Sequence, residues 1–267
     1  MQFPYYLHLG GQPIHPHLFF EVLAYIVAAI SYLYSRRRFG DAISTTVRWV
    51  VVAAAVAGGA IGSKLLFLLE DPRLTAQNLH NPAYLTSGKT IVGALVFGLL
   101  SVELMKRYTG VKPSTGDLYT IPLALGIAVG RIGCFLTGLS DNTYGTPTSL
   151  PWGVDFGDGV SRHPTQLYEM AFLLLLTPVL YRILVAILKT REARPSVFCA
   201  GDAFKFFMVA YLSFRLLCDF IKPYPRLFPG LGGIQWACVL VLLYYSSDIT
   251  RWLRFASSRH HLRWRQI

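Results

Sequence analysis

Seven long apolar segments constrain the fold of this chain more than any other feature of its sequence. They lie at roughly 18–35, 47–69, 89–105, 118–138, 166–188, 203–221 and 234–252. A helix that crosses the hydrocarbon core of a bilayer needs about 20 mostly apolar residues. Of the 267 residues, 53% are hydrophobic and only 15% are charged, and the mean hydropathy is +0.43. The sequence therefore predicts an all-α polytopic membrane protein with about seven transmembrane helices.

The alternative is a large soluble protein with buried helices, because several of these segments contain a charge. The first segment does not resemble a cleaved signal peptide, since residues 1–20 contain no lysine or arginine and no small-residue cleavage pattern follows. We therefore expect this helix to be retained. We predict a single transmembrane domain over residues 1–267.

The distribution of basic residues predicts the orientation in the membrane. With the N-terminus outside, fifteen lysines and arginines fall in cytoplasmic loops and four in outer loops, as the positive-inside rule requires. The C-terminus is then cytoplasmic, and residues 139–165 form a small extracytoplasmic cap between helices 4 and 5. The formal net charge of +11 indicates topology and attraction to anionic inner-leaflet lipid rather than nucleic-acid binding. The cytoplasmic set is Arg36, Arg37, Arg38, Lys106, Arg107, Lys112, Arg182, Lys189, Arg191, Arg194, Arg251, Arg254, Arg259, Arg263 and Arg265.

Two arginines interrupt apolar segments at a similar predicted depth. Arg131 lies thirteen residues past Leu118 and Arg215 twelve past Ala203. At about 1.5 Å per residue, both lie roughly 20 Å into a core about 30 Å thick. A charge at such a depth faces the bundle interior or a wet cavity.

Charged residues of the outer half carry a surplus of positive charge. The alternative is internal pairing, for example Arg131 with Glu169 and Arg215 with Asp219, which merely holds helices together. The surplus favours an anion instead, most simply a phospholipid headgroup. The basic members are Lys64, Lys89, Arg131, Arg162 and Arg215, and the acidic members are Glu21, Glu169 and Asp219.

The sixth segment carries polar residues at helical spacing. Tyr211, Arg215, Asp219 and Lys222 follow one another at intervals of four, four and three, which places them on one face of a helix. We expect this face to form one wall of a polar cavity.

Several motifs resemble those of the bacterial phosphatidylglycerol–prolipoprotein diacylglyceryl transferases. The resemblance extends over roughly residues 15–250 and is most specific between 130 and 169. The motifs are Gly62-Ser-Lys64, Gly130-Arg-Ile-Gly133 with Phe135, Tyr144-Gly145, Pro151-Trp-Gly-Val154, Arg162-His-Pro-Thr-Gln-Leu-Tyr-Glu169, Tyr211-x3-Arg215-x3-Asp219 and Gly233-Ile-Gln235.

The sequence departs from the family pattern at several places, among them Thr137-Gly-Leu139 where the family has Asn-Gly-Glu, and three extra residues before Tyr144-Gly145. Cys134 stands where the family has asparagine, and Gly88-Lys-Thr90 stands where it has His-Gly-Gly. Phe20 or Glu21 stands at the position of a family tyrosine. The chain is therefore predicted to be a divergent member.

The resemblance implies transfer of a diacylglyceryl group from phosphatidylglycerol, or another anionic phospholipid, to the lipobox cysteine of a secreted precursor. It implies that Arg131 and Arg215 hold the phosphate with Tyr211 beside them; arginine suits this role because it binds phosphate through parallel hydrogen bonds. His163, Glu169 and Glu21 are candidate proton acceptors for the incoming thiol, and we include His163 and Glu21 among the catalytic residues. The predicted substrate-binding residues are Lys64, Lys89, Cys134, Arg162, Gln166, Glu169, Asp219 and Gln235.

We predict no cofactor and no metal site. The four cysteines form no C-x-x-C pair, and His15 and His17 have no metal-ligand spacing. Cys134 lies one turn from Arg131, and it is either a small apolar filler or a nucleophile that accepts the lipid first.

Three functions remain open from the sequence. The first is a diacylglyceryl transferase in the bacterial cytoplasmic membrane, or a close relative that transfers lipid to another thiol or alcohol. The second is a non-catalytic anionic-phospholipid-binding membrane protein on the same fold, which the missing family histidine and asparagine favour. The third is a lipid flippase or anion transporter. It is disfavoured because the inner halves of the segments offer little polarity beyond Glu103 and Asp117.

Overall fold

The computed structural model describes residues 3–190, 198–227 and 229–263. Arg191, Arg194 and Arg265, which enter the orientation argument, lie outside the described residues. The described chain is mostly helical. One long helix coincides with each of the first six predicted segments, and two helices share the seventh. The helices are α1 (Pro16–Phe39), α2 (Thr45–Glu70), α3 (Pro72–Gln77), α4 (Pro82–Thr86), α5 (Ile91–Thr109), α6 (Thr120–Thr137), α7 (Thr165–Thr190), α8 (Asp202–Cys218), α9 (Gly233–Tyr244) and α10 (Ser246–Arg263).

Four helical stretches of the described chain are long and apolar enough to cross a membrane. They coincide with the first, second, fourth and fifth predicted segments, so the all-α membrane class is supported, while the count of seven and the orientation stay predictions. The seventh segment is not one helix, because α9 ends at Tyr244 and α10 begins at Ser246. The polar Ser246-Ser-Asp248 sequence favours a new helix start there. The four stretches are Pro16–Phe39, Thr45–Glu70, Asp117–Asp141 and Thr165–Leu188.

The chain divides into two compact units. The first comprises the described residues of Met1–Asp41, Thr115–Leu188 and Leu217–Tyr224, and the second those of Ala42–Ser114, Lys189–Leu216 and Pro225–Ile267. In the first unit α1 packs against α6, and in the second α2 packs against α5. The prediction of one transmembrane domain concerns the whole chain and stays a prediction.

The first unit also contains two small antiparallel hairpins. One pairs β1 (Leu7–Leu9) with β2 (Gln12–Ile14) just before α1. The other pairs β3 (Val154–Asp155) with β4 (Ser161–Arg162) inside the predicted cap segment. The cap segment begins with a 3-10 turn at Gly138–Asp141 that continues from α6. These connections place polar residues at the start of α1, at the end of α6 and at the start of α7.

Candidate functional site

A buried ion pair links α6 to α7 in the first unit. Arg131 Nη2 lies 2.9 Å from Glu169 Oε2, and the two side chains are 6% and 0% exposed. The pairing considered as the alternative role for Arg131 is therefore present. A guanidinium has five N–H donors, so the carboxylate orients Arg131 without using all of its hydrogen-bonding capacity. Removing either partner of such a pair leaves an uncompensated buried charge.

Close packing of α6 on α1 brings a cysteine to a histidine. A Cβ atom on Gly133 would lie 2.8 Å from Phe20 Cβ and 3.3 Å from the Cα of His17, so only glycine permits this approach. Ligand atoms of His17, Cys134 and Asp141 then lie within 4.8 Å of one another. His17 Nδ1 is 3.0 Å from Asp141 Oδ1.

Each member of this His17–Cys134–Asp141 cluster has a further polar neighbour. Arg131 Nη1 donates to Cys134 Sγ at 3.6 Å, and Thr143 Oγ1 donates to Asp141 Oδ2 at 2.5 Å. His17 Nε2 lies 3.8 Å from Glu21 Oε2. The second oxygen of Glu21 accepts a hydrogen bond from Tyr25 at 3.2 Å. The cluster is therefore joined to Arg131 on one side and to Glu21 on the other.

Gln166 of this unit is a buried polar side chain with both of its amide atoms unsatisfied among the described residues. It is 1% exposed, and neither its Nε2 nor its Oε1 has a hydrogen-bond partner among the described residues. It lies one turn of α7 before Glu169, the partner of Arg131. A buried amide without partners costs about 1–3 kcal/mol, so this position is unfavourable unless a bound group completes it.

The cap segment packs against the start of α7 through His163. The amide of Gly145 donates to the carbonyl of His163 at 2.8 Å, and a Cβ on Gly145 would lie 2.6 Å from His163 Cβ. His163 Nδ1 is 3.2 Å from the Tyr168 hydroxyl, which accepts a hydrogen bond from Trp152 Nε1 at 2.7 Å. His163 is therefore held by the cap, as a structural hydrogen-bonder or an oriented base would be.

Arg162 is engaged by its own hairpin. Its Nη1 lies 2.6 Å from Asp158 Oδ1 and its guanidinium lies over the Tyr144 ring, 5.2 Å from the centroid. The hydrogen bond from Arg162 lowers the pKa of Asp158 below its ordinary value. These contacts account for Arg162 as a residue that stabilises the hairpin.

An apolar groove follows the same three helices away from the polar residues. It has a volume of about 640 Å³ and is lined by α1, α6 and α7. Leu125 and Ile121 in its wall precede Arg131 by six and ten residues, about 9–15 Å along the helix. Thr177 and Pro178 follow Glu169 on α7. The groove and the buried ion pair thus occupy successive levels of one helix group.

In the second unit, Arg215 and Tyr211 lie on α8 and are buried, at 3% and 0% exposure. The Tyr211 ring stacks on Phe207 with centroids 5.9 Å apart. The predicted continuous face ends early, because α8 stops at Cys218 and Asp219–Ile221 is a 3-10 turn. Asp219 Oδ1, in the first unit, lies 3.8 Å from Lys222 Nζ.

The remaining predicted residues of the second unit make structural contacts. Lys64 Nζ donates to the backbone carbonyls of Thr86, Ser87 and Gly88, and thereby fixes the loop that carries the exposed Lys89. Gln235 is buried, and its Oε1 accepts from the Gly232 amide at 2.9 Å while its Nε2 donates to the Leu216 carbonyl at 3.1 Å.

Comparison with known proteins agrees with the resemblance drawn from the motifs. The family model described as prolipoprotein diacylglyceryl transferase matches residues 4–249. The chain belongs to the prolipoprotein diacylglyceryl transferase family. The phosphatidylglycerol–prolipoprotein diacylglyceryl transferase of Bordetella parapertussis is 30% identical over 259 residues, which cover 90% of this chain and 91% of the relative. The enzyme of the same name from Geobacter sulfurreducens is 30% identical over 240 residues, covering 83% and 84%. That from Clostridium tetani is 33% identical over 180 residues, covering 64% and 66%.

Within this family member, the structure brings together only part of the predicted site. Arg131, Cys134 and Glu169 form one connected group, and Glu21 joins it through His17. His17 and Asp141 were not predicted. Their sequence signal is weak, because the contact depends on the packing of α1 against α6 and on the 3-10 turn after α6, which no local spacing encodes.

Proposed function

We propose that this protein transfers the diacylglyceryl group of phosphatidylglycerol to the lipobox cysteine thiol of a secreted precursor protein. Membership of the prolipoprotein diacylglyceryl transferase family and the names of the relatives support this assignment. The four long apolar stretches support a membrane enzyme. We further propose a bacterial cytoplasmic-membrane location with seven spans, the N-terminus and the 139–165 cap outside, and the C-terminus inside.

The observation that carries the proposal is the buried amide of Gln166 beside the Arg131–Glu169 pair. Both amide atoms lack a partner among the described residues, and buried polar groups are normally hydrogen-bonded. A phospholipid offers oxygens that accept from Nε2 and glycerol hydroxyls that donate to Oε1. Bound lipid would therefore remove the desolvation cost at Gln166.

The apolar groove supports the same substrate class. A phospholipid with its phosphate at Arg131 would extend its acyl chains along the groove that α1, α6 and α7 line. Substrate binding in a predominantly apolar cleft with a few polar groups that fix orientation is the usual arrangement of small-molecule sites.

The reaction breaks one bond and forms another. The sulfur of the acceptor attacks the glyceryl carbon next to the phosphate oxygen, and a sulfur–carbon bond forms while the carbon–oxygen bond breaks. The electron pair stays on the phosphate, and glycerol phosphate leaves. We propose that N–H groups of Arg131, which Glu169 holds in position, donate hydrogen bonds to the phosphate as its negative charge develops. Preorganised donors of this kind are usually the largest single contribution to catalysis. Arg215 and Tyr211 remain further phosphate-binding candidates.

The acceptor thiol must lose its proton before the attack. An ordinary thiol has a pKa of about 8.5, so positive charge nearby suffices to favour the thiolate. We retain His163 and Glu21 as candidate proton acceptors. A covalent Cys134 intermediate is disfavoured on chemical grounds, because a thioether to Cys134 would be as stable as the final product and would not pass the lipid onward.

The competing function is a lipid-binding protein without catalysis, and Cys134 at the family's asparagine position favours it. The deciding experiment uses purified protein in vesicles with labelled phosphatidylglycerol and a lipobox peptide. We expect lipidated peptide from the wild type and from K205A, which alters a partly exposed ion pair outside the first unit. The double variant R131L/E169L removes both buried charges together and should form no product. Lipid binding by the wild type without any product would overturn the enzyme assignment.

A further inference from the structure

We propose that His17, Cys134 and Asp141 bind a divalent metal ion of the zinc class. Nitrogen, sulfur and carboxylate ligand atoms of these residues lie within 4.8 Å of one another, and they are the three ligand types that Zn²⁺ prefers. Cys134 is buried, whereas the His17 side chain is 43% exposed and Asp141 is 8% exposed. The cluster is therefore shielded on one side and accessible to an ion on the other.

The neighbours of the three ligands match the outer shell of a metal site. Ligating histidines commonly contact a carboxylate through the other ring nitrogen, and ligating carboxylates are themselves hydrogen-bonded. Glu21 lies 3.8 Å from His17 Nε2, and Thr143 donates to Asp141 Oδ2, whereas Asp141 Oδ1 is the oxygen 3.0 Å from His17 Nδ1. Nδ1 of His17 and Oδ1 of Asp141 are thus the ligand atoms that these two neighbours leave for an ion.

Charge balance is compatible with the ion, because the metal-bound cluster is neutral overall, as is a simple ion pair of His17 with Asp141 beside a Cys134 thiol. Arg131 contacts Cys134 Sγ, but its charge is offset by Glu169 at 2.9 Å. A divalent cation would offset the Asp141 carboxylate and a Cys134 thiolate, with His17 neutral. The cluster is then neutral overall, which lowers the cost of ionising the buried Cys134. The N–H of Arg131 can still donate to a thiolate that ligates the ion.

The described residues supply three protein ligands. A tetrahedral ion would then have a fourth position for substrate, and catalytic zinc sites, unlike structural ones, have this arrangement. This step rests on the proposed function. The acceptor cysteine would bind there as thiolate, with its proton released to water, and would attack the glyceryl carbon beside Arg131. The thioether product is neutral and dissociates. The ion would thus lower the pKa of the acceptor thiol in a chain that has Gly88-Lys-Thr90 where the family has a histidine.

Metal binding is tested first, without any transfer assay. Purified protein in detergent is stripped with a chelator and titrated with Co²⁺, whose bond to a cysteine sulfur gives a charge-transfer absorption. We expect one equivalent of Co²⁺ with this absorption, displaced by Zn²⁺. C134S should lose the absorption, and H17A and D141N should bind at least about tenfold more weakly.

Matched controls separate loss of the site from loss of the fold. C238S alters a buried cysteine of the second unit, and H163A alters a histidine outside the cluster; both should bind Co²⁺ like the wild type. Each variant is checked for a monodisperse profile and for its unfolding temperature with and without Zn²⁺. Absence of the absorption in the wild type, or its persistence in C134S, would overturn the metal site.

A second measurement tests the role of the ion in transfer. Stripped protein should form lipidated peptide at least about tenfold more slowly than protein reloaded with Zn²⁺. Equal rates would overturn thiol activation by the ion and leave the proposed transferase function standing. Co²⁺ binding with no transfer under any condition would instead contradict the proposed function and leave the metal site intact.

Discussion

Two buried glutamines at the starts of two helices have opposite surroundings. Gln235, near the start of α9, is 2% exposed and hydrogen-bonded through both amide atoms to the Gly232 amide and the Leu216 carbonyl. Gln166, near the start of α7, is 1% exposed and has no partner among the described residues. The Gln235 amide satisfies the hydrogen bonds of two nearby backbone groups, whereas the Gln166 amide can still donate to and accept from a ligand.

A related contrast separates one ion-pair network of the second unit from the Arg131–Glu169 pair of the first unit. In the second unit, Arg251 contacts both Asp202 and Asp248, and Lys205 contacts Asp248 as well. These basic side chains are 40% and 37% exposed, so water screens them. In the first unit the Arg131–Glu169 pair is buried beside Gln166. A buried ion pair next to Gln166, an amide without partners in the described part of the chain, distinguishes this binding site from a stabilising network of ion pairs.

The largest expected effect concerns Arg131. Arg131→Lys keeps one charge but loses the planar set of donors, so we expect the transfer rate to fall about 100-fold or more. The measurement is lipidated peptide formed per minute in vesicles. Arg131→Leu alone should also destabilise the protein by about 3–5 kcal/mol, because the buried Glu169 carboxylate loses its ion pair with Arg131. R131L/E169L should regain stability but not activity, and recovered activity would contradict the role of Arg131.

The next prediction sets the two glutamines against each other. Gln235→Leu should destabilise the protein by about 1–3 kcal/mol, because it leaves the Gly232 amide and the Leu216 carbonyl without their partner. Gln166→Leu should leave stability unchanged or raise it, while it raises KM for phosphatidylglycerol about tenfold. Denaturant unfolding and initial-rate kinetics on both variants supply the measurements. Equal destabilisation by both substitutions would contradict the claim that Gln166, unlike Gln235, makes no hydrogen bonds to the described residues in the unliganded protein.

A smaller effect is expected at Lys205. Its pair with Asp248 is partly exposed, at 37% and 16%, and Asp248 keeps Arg251 as a partner. Lys205→Ala should therefore change stability by about 0–1 kcal/mol and leave the transfer rate within about twofold of wild type. Unfolding midpoint and lipidation rate are measured on the same preparation. A large loss of activity here would show that the second-unit network contributes to the site.

The smallest effect concerns the outer hairpin. Arg162 lowers the pKa of Asp158, so this pair stabilises the hairpin above the ordinary aspartate pKa of about 4 and ceases to do so as pH falls through the lowered value. Asp158→Asn should open the hairpin more often near pH 7 and match the wild type near pH 2. Hydrogen exchange at Gly159 and Val160 measures the opening. An equal difference at both pH values would contradict this assignment.

Sequence reasoning reached the fold class because apolar length and helical spacing are local properties. It predicted Arg131, Glu169 and Gln166 from one contiguous block of motifs, and these residues lie on two neighbouring helices. It did not predict the grouping of His17 with Cys134 and Asp141, because that grouping depends on how closely α1 approaches α6 at Gly133. It also could not distinguish Gln166 from Gln235, since satisfaction of a buried amide depends on backbone groups supplied by the tertiary fold.

The central claim is that the lipid headgroup binds beside Arg131 and Gln166. A phosphatidylglycerol analogue with a photoreactive headgroup, crosslinked in vesicles and mapped by mass spectrometry, tests it most directly. We expect labelled peptides from 131–141 and 165–169, competed by unlabelled phosphatidylglycerol and reduced in R131K. Competable labelling around Gln235 instead, with none at Arg131 or Gln166, would contradict the account.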